Sequence, residues 1–310
     1  MSQIVIQQAA VIGAGTMGRG IVMCLANAGV QVLWLDTNPQ MLEQALGVVS
    51  ETYAHQVRQG RIDQAQADAR LACIGLVAEY AALAGVDLVI EAVYENLELK
   101  QRIFRELDAL LKPTAILASN TSALDIDAIA AVTARPGQVL GLHFFSPAHI
   151  MKLLEIVRGA QTAPAVLEAA LELGRRMGKV SVIAGNCDGF IGNRMLHTYV
   201  REARMLLLEG AYPHQVDAAL QGFGFAMGPF RMYDVVGIDL EWRALNWPAR
   251  ARTIRRCRST TASAASAVSA RRPARAITVT PKAVARPSRP PRWMPWCWPC
   301  PSPWVSSVAA

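Results

Sequence analysis

Residues 11–21, VIGAGTMGRGI, are followed by the apolar run 30–35 and then by Asp36. A short apolar stretch, 9–12, leads into Gly13, Gly15 and Gly18, and an amphipathic segment then runs to about residue 28. The order is strand, glycine turn, helix, strand, with an acidic residue 18 positions beyond the last glycine. A bare GxGxxG is a weak signal, but one set between a strand and a helix, with that acid beyond it, is a dinucleotide-binding signature. Gly13 permits the tight turn, Gly15 lets backbone approach a pyrophosphate, and Gly18 allows close packing of helix on strand. The turn residues Ala14, Thr16 and Met17 sit at the helix N-terminus, where amides and the positive dipole end favour an anion. Asp36 is suited to accept hydrogen bonds from ribose hydroxyls and to repel a 2′-phosphate, which favours NAD over NADP. The plainer alternative is that the glycines only shape a turn and Asp36 only caps a helix.

Working outward, a long polar helical stretch covers 39–70, and apolar strands recur at 86–92, 115–118 and 139–143. Helical patterns fill 97–111 and 125–132, and a further helix at 163–177 and strand at 180–184 close the unit near residue 188. This alternation predicts an α/β fold, a parallel sheet covered by helices. Helices at 191–210 and 214–220 open a second, all-helical domain. The predicted organisation is a Rossmann-like NAD-binding domain at 1–188, the start of a helical domain at 189–244, and a basic tail at 245–310.

The chain has 310 residues and a formal net charge of +7, but that sum joins two unlike pieces. Residues 245–310 hold 12 of the 31 Lys and Arg, no Asp or Glu, 10 of the 17 prolines, 5 of the 7 tryptophans and no glycine. Residues 1–244 therefore carry −5. The basic balance belongs to the tail alone and gives no case for a specific nucleic-acid partner. No run of 18 apolar residues occurs, so no membrane partner is expected, and the start MSQIVIQQAAVIG lacks the features of a secretory leader. The expected location is cytoplasmic. Cys24, Cys73 and Cys187 are too few and too widely spaced for a disulfide framework, and Cys297 with Cys300 forms a CxxC without a second half-site, so no metal is expected.

Chemistry-bearing residues follow the strands, where an open α/β sheet places its ligand crevice. Four stand out: Ser122 in SNTS, His143 in GLHFFSP, Glu155 in MKLLEIV and Asn193 in DGFIGNR. Oxidising an alcohol with NAD needs a base for the hydroxyl proton, and a histidine near neutral pKa fits. A carboxylate on its other ring nitrogen fixes the tautomer and stabilises the imidazolium, which suits Glu155 in its otherwise apolar strand. Spacing alone leaves other readings open. His143 is equally placed to be a packed core residue, Glu155 to pair with Lys152 or Arg158, Ser122 to cap a helix starting near Asp125, and Asn193 to be an early-helix polar residue.

VIGAGTMGRGI, EAVYENLELK, ASNTSALDI, GLHFFSPAHIMKLLEIV, NCDGFIGNRML and FGFAMGPFRMYDVVGID together resemble the 3-hydroxyacyl-CoA dehydrogenase family, above all the dehydrogenase segment of multifunctional β-oxidation proteins. The resemblance covers residues 8–244 in order. It implies NAD-dependent oxidation of (S)-3-hydroxyacyl-CoA to 3-oxoacyl-CoA, an acyl-CoA substrate and a homodimer formed through the helical domain. It implies His143 as base, Glu155 as its partner, and Ser122 and Asn193 against substrate and nicotinamide. It also implies Glu95 and Lys100 against the cofactor, with Ser146 on the nicotinamide side where many members have Asn. Arg58 and Arg61 are candidates for the CoA phosphates, or are simply part of a solvated helix face.

The wording of the resemblance stops at Ala244, where the family continues through RFGQKTG and an aromatic stretch. When the third base of each tail codon is joined to the first two of the next, residues 267–280 permit RFGQKTGxGYYRY without a gap. Residues 293–299 likewise permit DALVLA. The tail therefore reads as the family's C-terminal segment translated out of phase, after a one-base loss or its equivalent near codon 245. Such a segment was never selected to bury a core. Its loss removes the family lysine of the QKTG motif, makes the dimer doubtful, and should expose Met205, Leu206 and Leu207.

Overall fold

The computed structural model describes residues 4–236; the tail from 245, its CxxC and the last part of the final motif lie outside the described residues. The chain divides into a compact unit at residues 1–210 and a second that begins at residue 211.

The first unit begins with β1 (Gln8–Ile12), α1 (Thr16–Asn27) and β2 (Gln31–Leu35), in the order that the glycine turn predicts. The polar stretch that follows is two helices, α2 (Pro39–Arg58) and α3 (Gln64–Ala72), where one was expected. Gly60, at φ +65°, breaks them. Asp63 restarts the chain with a capping box, its side chain accepting from the Gln66 amide while Gln66 accepts from the Asp63 amide. The sheet then gains β3 (Ile74–Val77), which was not foreseen, and β4 (Leu88–Glu91). α4 (Leu97–Leu110) starts at Asn96, whose side chain accepts from the Leu99 amide. β5 (Ile116–Ser119), α5 (Ile126–Ala130), β6 (Val139–Phe144), β7 (Leu153–Arg158), α6 (Pro164–Arg176), β8 (Val180–Gly185) and α7 (Gly192–Leu208) complete the unit.

The eight strands form one sheet in the order β3-β2-β1-β4-β5-β6-β7-β8. The chain leaves β1 toward β2 and β3, then returns to β1's other side as β4, so the switch point of the topology lies between β1 and β4. The sheet is not parallel throughout: β7 runs antiparallel to β6, with β8 parallel to β7. Eight residues separate β6 from β7, too few for a parallel crossover. Strands buried on both faces form the core. Val11, Trp34, Ile90, Ala118, Leu140 and Ile156 are all at most 1% exposed, and α1, α2 and α6 pack over them.

Two contacts anchor the switch point. Asp87 accepts from the Gln7 and Gln8 amides and from Lys112, joining the start of β1 to the start of β4. At the other end, buried Trp34 donates its indole N–H to the Gly13 carbonyl at 2.9 Å.

α7 belongs to the first unit. Of its expected exposed residues, Met205 and Leu206 are exposed and Leu207 is half-buried. The second unit's described part is α8 (Pro213–Phe223) and α9 (Pro229–Val236). Asp217 of α8 accepts from the Phe230 and Arg231 amides at the start of α9. A Cβ on Gly228 would stand 2.2 Å from the Asp217 carboxylate, so this close approach needs glycine. No helix among the described residues is long and apolar enough to cross a membrane.

Trp34 sets a stability test of the turn. Trp34→Phe removes the bond to Gly13 and part of a buried ring, and is expected to lower unfolding stability by about 2–3 kcal/mol in urea titrations.

Candidate active site

The crevice starts at the glycine turn. Gly13 has φ +113°, and a Cβ there would lie 2.7 Å from the Ala92 carbonyl on the β4 side of the switch point. A Cβ on Gly18 would lie 1.9 Å from the Gly13 carbonyl, so α1 rests directly on the turn. Gly15 is different: a Cβ there meets nothing within 4 Å. Its backbone is extended at φ −68°, ψ −176°, which any residue adopts, so neither strain nor packing within the chain demands glycine. Open space over the N-terminus of a 12-residue helix fits a pyrophosphate. Asp36, at the end of β2, accepts from the Ala14 amide at 2.7 Å and from the Asn38 amide at 2.9 Å, which ties the acid to the turn. Thr16 accepts from Arg19, one helical turn on.

Beside the turn, every residue of SNTS is engaged. The Ser119 hydroxyl donates to Glu91, and Asn120 accepts from the Phe144 amide at 3.0 Å, binding the end of β5 to the end of β6. Thr121 donates to Glu95 and accepts from the Ala123 and Leu124 amides. The Ser122 amide donates to Glu95 at 3.0 Å. Ser122 does not cap the following helix; Asp125 does, accepting from the Asp127 and Ala128 amides. Lys100 is fully buried, its ammonium held by Glu91 at 2.7 Å and by Glu95 at 3.4 Å. It thus meets the crevice through Glu95, whose side chain is partly exposed.

His143 and Glu155 face each other across the antiparallel pair, as direct register partners of β6 and β7. The His143 Nδ1 lies 2.7 Å from Glu155 Oε2, and both residues are buried. Glu155 does not pair with Lys152 or Arg158. Its other oxygen accepts from the Ile191 and Gly192 amides at 3.1 and 2.7 Å, at the N-terminus of α7. A Cβ on Gly192 would approach the tip of the Phe145 ring at 2.9 Å, so any larger residue there makes that ring shift. The preceding turn places Gly189 at φ +69° and Phe190 at φ +45°, a left-handed conformation that costs a bulky residue energy and aims the helix at the carboxylate. Burial pushes the Glu155 carboxyl up, but the His143 ring and the two amides together outweigh it and hold the group below its ordinary value. The rings of Phe145 and Phe190 lie 4.4 and 5.9 Å from that of His143.

Asn193 joins these two parts, its amide donating to the Ser122 carbonyl at 3.2 Å. Asn186 does the same from further back, donating to Asp125 and Asp127 and accepting from the Ile126 amide. Ser146 is exposed on the loop after β6. Lys179, donating to the Ala148 and Met151 carbonyls, holds that loop. Arg58 pairs with Glu51 on an exposed face, and Arg61 is exposed. Among the described residues no group of three His, Cys, Asp or Glu is placed to hold a metal. Trp34, Glu91, Asn120 and Asn186 were not singled out from the sequence, although Glu91, Asn120 and Asn186 lie inside quoted motifs.

A dinucleotide turn at the switch point and a His–carboxylate pair at the ends of neighbouring strands define an NAD-binding α/β protein with a candidate acid–base centre. The family model for the 3-hydroxyacyl-CoA dehydrogenase NAD binding domain matches residues 8–187, and that for the C-terminal domain of the same family matches 189–275. The chain belongs to the 3-hydroxyacyl-CoA dehydrogenase family. The C-terminal match runs past Ala244, so the family pattern reaches further into the tail than the literal wording does. The chain is 50% identical over 238 residues to a peroxisomal bifunctional enzyme of Danio rerio, a match covering 77% of this chain and 32% of that protein. It is 40% identical over 235 residues to the peroxisomal fatty acid beta-oxidation multifunctional protein MFP2 of Arabidopsis thaliana, covering 76% and 32%. It therefore spans about a third of the length of these curated relatives. Among solved structures, M. tuberculosis FadB2 is similar at 35% identity and TM-score 0.73, over 76% of this chain and 84% of that one. The 3-hydroxybutyryl-CoA dehydrogenase of Escherichia coli K12 is similar at 40% identity and TM-score 0.73, over 76% and 50%.

The two glycines separate binding from folding. Gly15→Ala is expected to leave the unfolding transition nearly unchanged while weakening NADH binding, read by fluorescence titration, by about tenfold or more; Gly18→Ala is expected to lower both. Glu155 sets a pH test. Its folded pKa is lowered, so its contribution is fully present above the unfolded carboxyl value, about 4.3, and is lost as pH falls through the lower folded value. Glu155→Gln should be less stable than the parent in urea at pH 7, with the gap shrinking below about pH 4.

Proposed function

We propose that the chain oxidises (S)-3-hydroxyacyl-CoA to 3-oxoacyl-CoA with NAD. The observation that carries this reading is the buried His143–Glu155 pair at 2.7 Å, set at the same end of the sheet as the glycine turn. Bound NAD supplies the hydride acceptor. His143 has Nδ1 committed to Glu155, which leaves Nε2 to take the proton of the substrate's 3-hydroxyl. Glu155 stays ionised at neutral pH and stabilises the imidazolium as it forms. The two α7 amides hold that carboxylate in place, so it does not reorganise during proton transfer. Ser122 and Asn193, bonded to each other, are positioned to receive the substrate's oxygens. Glu95 and the glycine turn would hold the cofactor. A homodimer belongs to the same proposal.

A second reading is an NAD-binding remnant without turnover. It is favoured by the tail, in which residues 267–280 permit RFGQKTGxGYYRY only out of phase. Sequencing the DNA around codon 245 tests the frame directly.

Following NADH absorbance with acetoacetyl-CoA separates the two. Under the first reading the parent turns over, and His143→Gln loses about 10²–10⁴-fold in kcat while NADH affinity stays within about threefold. A parent that binds NADH and shows no turnover decides for the remnant.

A further inference from the structure

Glu91 closes β4 inside the sheet, is 0% exposed, and has no part in the chemistry above. Its carboxylate is nonetheless fully used. Lys100 Nζ lies 2.7 Å from Oε1 and 2.9 Å from Oε2, the Val93 amide donates to Oε1 at 2.7 Å, and the Ser119 hydroxyl donates to Oε2 at 2.7 Å. The ammonium has one further carboxylate, Glu95 Oε2, at 3.4 Å. The other oxygen of Glu95 takes the Thr121 hydroxyl and the Ser122 amide.

We propose that Glu91 is a positioning residue for the crevice: it fixes the Lys100 ammonium, which orients Glu95, which in turn holds the loop that presents Ser122. The argument rests on one buried cation shared by two carboxylates. Glu91 takes two short bonds and Glu95 one long one, so Lys100 steadies Glu95 without withdrawing it from Thr121 and Ser122. Without the charge on Glu91, the buried ammonium keeps a single anionic partner and closes on it, since an uncompensated buried charge is the costliest arrangement available. Glu95 is then drawn off the loop. The proposal deepens the reading of this crevice as the site for NAD and acyl-CoA.

The test uses the full chain and the variants Glu91→Gln, Glu95→Gln and the double variant, read by amide hydrogen exchange without ligand and by NADH titration. Exchange in a peptide covering 120–124 is expected to rise about tenfold in each single variant and no further in the double, because the two residues act in series. Peptides from β1 and α1 should keep parental protection, which a general loss of structure would not allow. The NADH Kd should rise in parallel with loop exchange. If Glu91→Gln folds poorly, Glu91→Gln combined with Lys100→Met removes both buried charges; it should recover most of the loop protection, since no ammonium remains to draw Glu95 off Thr121 and Ser122, and a loss as large as that expected of Glu91→Gln overturns the proposal. Parental protection at 120–124 in Glu91→Gln, or an additive loss in the double variant, overturns the proposal. A parent that binds no NADH overturns the functional reading alone, because loop exchange is measured without it.

Discussion

The antiparallel pairing of β6 with β7 is the constraint on which the candidate chemistry depends. Six strands of the sheet run one way and bring their C-terminal ends to the crevice. A seventh strand continuing that pattern would follow a covering helix, with no reason to set a carboxylate beside the last residues of β6. Reversal after eight residues does so by register alone, and His143 meets Glu155 as its direct neighbour. In a pleated pair such neighbours project to the same face. The pair therefore needs no flexible loop to assemble it, and two central strands hold its geometry.

A buried carboxylate is costly unless its lone pairs are satisfied. Glu155 and Glu91 meet this requirement in different ways. Glu155 takes the His143 ring and the amide end of a helix, so its charge is held by hydrogen bonds and a helix dipole and not by a neighbouring Lys or Arg. Glu91 takes a full cation, and its charge is neutralised on the spot. The first arrangement suits a group that must respond to a change of charge nearby; the second suits one that must hold its neighbours still. Around both, short polar side chains make the joints: Asn120 between β5 and β6, Asn193 between α7 and the Ser122 loop, Asn186 between the end of β8 and the start of α5.

The first βαβ unit was legible because Gly13 and Gly18 are demanded by backbone geometry and close packing, while Gly15 and Asp36 stand at the set spacings of a dinucleotide turn. β3 was not, since IGLV is four residues long and follows directly on a helix without a turn signal between them. Strand direction was missed because an apolar run reads the same either way. The signal lay in the eight-residue link instead, which excludes a parallel return. The chemistry-bearing residues were found by type, but spacing left each with two readings, and contact resolved them: Asp125 takes the helix cap from Ser122, and His143 takes Glu155 from the nearby cations. Lys100 illustrates the limit. A lysine early in a helix reads as a free cation, and only the fold reveals that β4 brings a carboxylate beneath it.

Every group in the candidate site, from Gly13 to Asn193, lies in the first compact unit, and so does the helix whose amides hold Glu155. The residues that lose the family's wording all lie beyond Ala244. Among the described residues, the His–carboxylate pair, the glycine turn and the buried Glu91–Lys100 pair take the partners named above from within the first unit. The geometry of these groups is therefore set by contacts within one unit. Preorganised acid–base groups and a formed cofactor turn are then separable from catalytic competence, and a chain of this kind can retain the former without the latter.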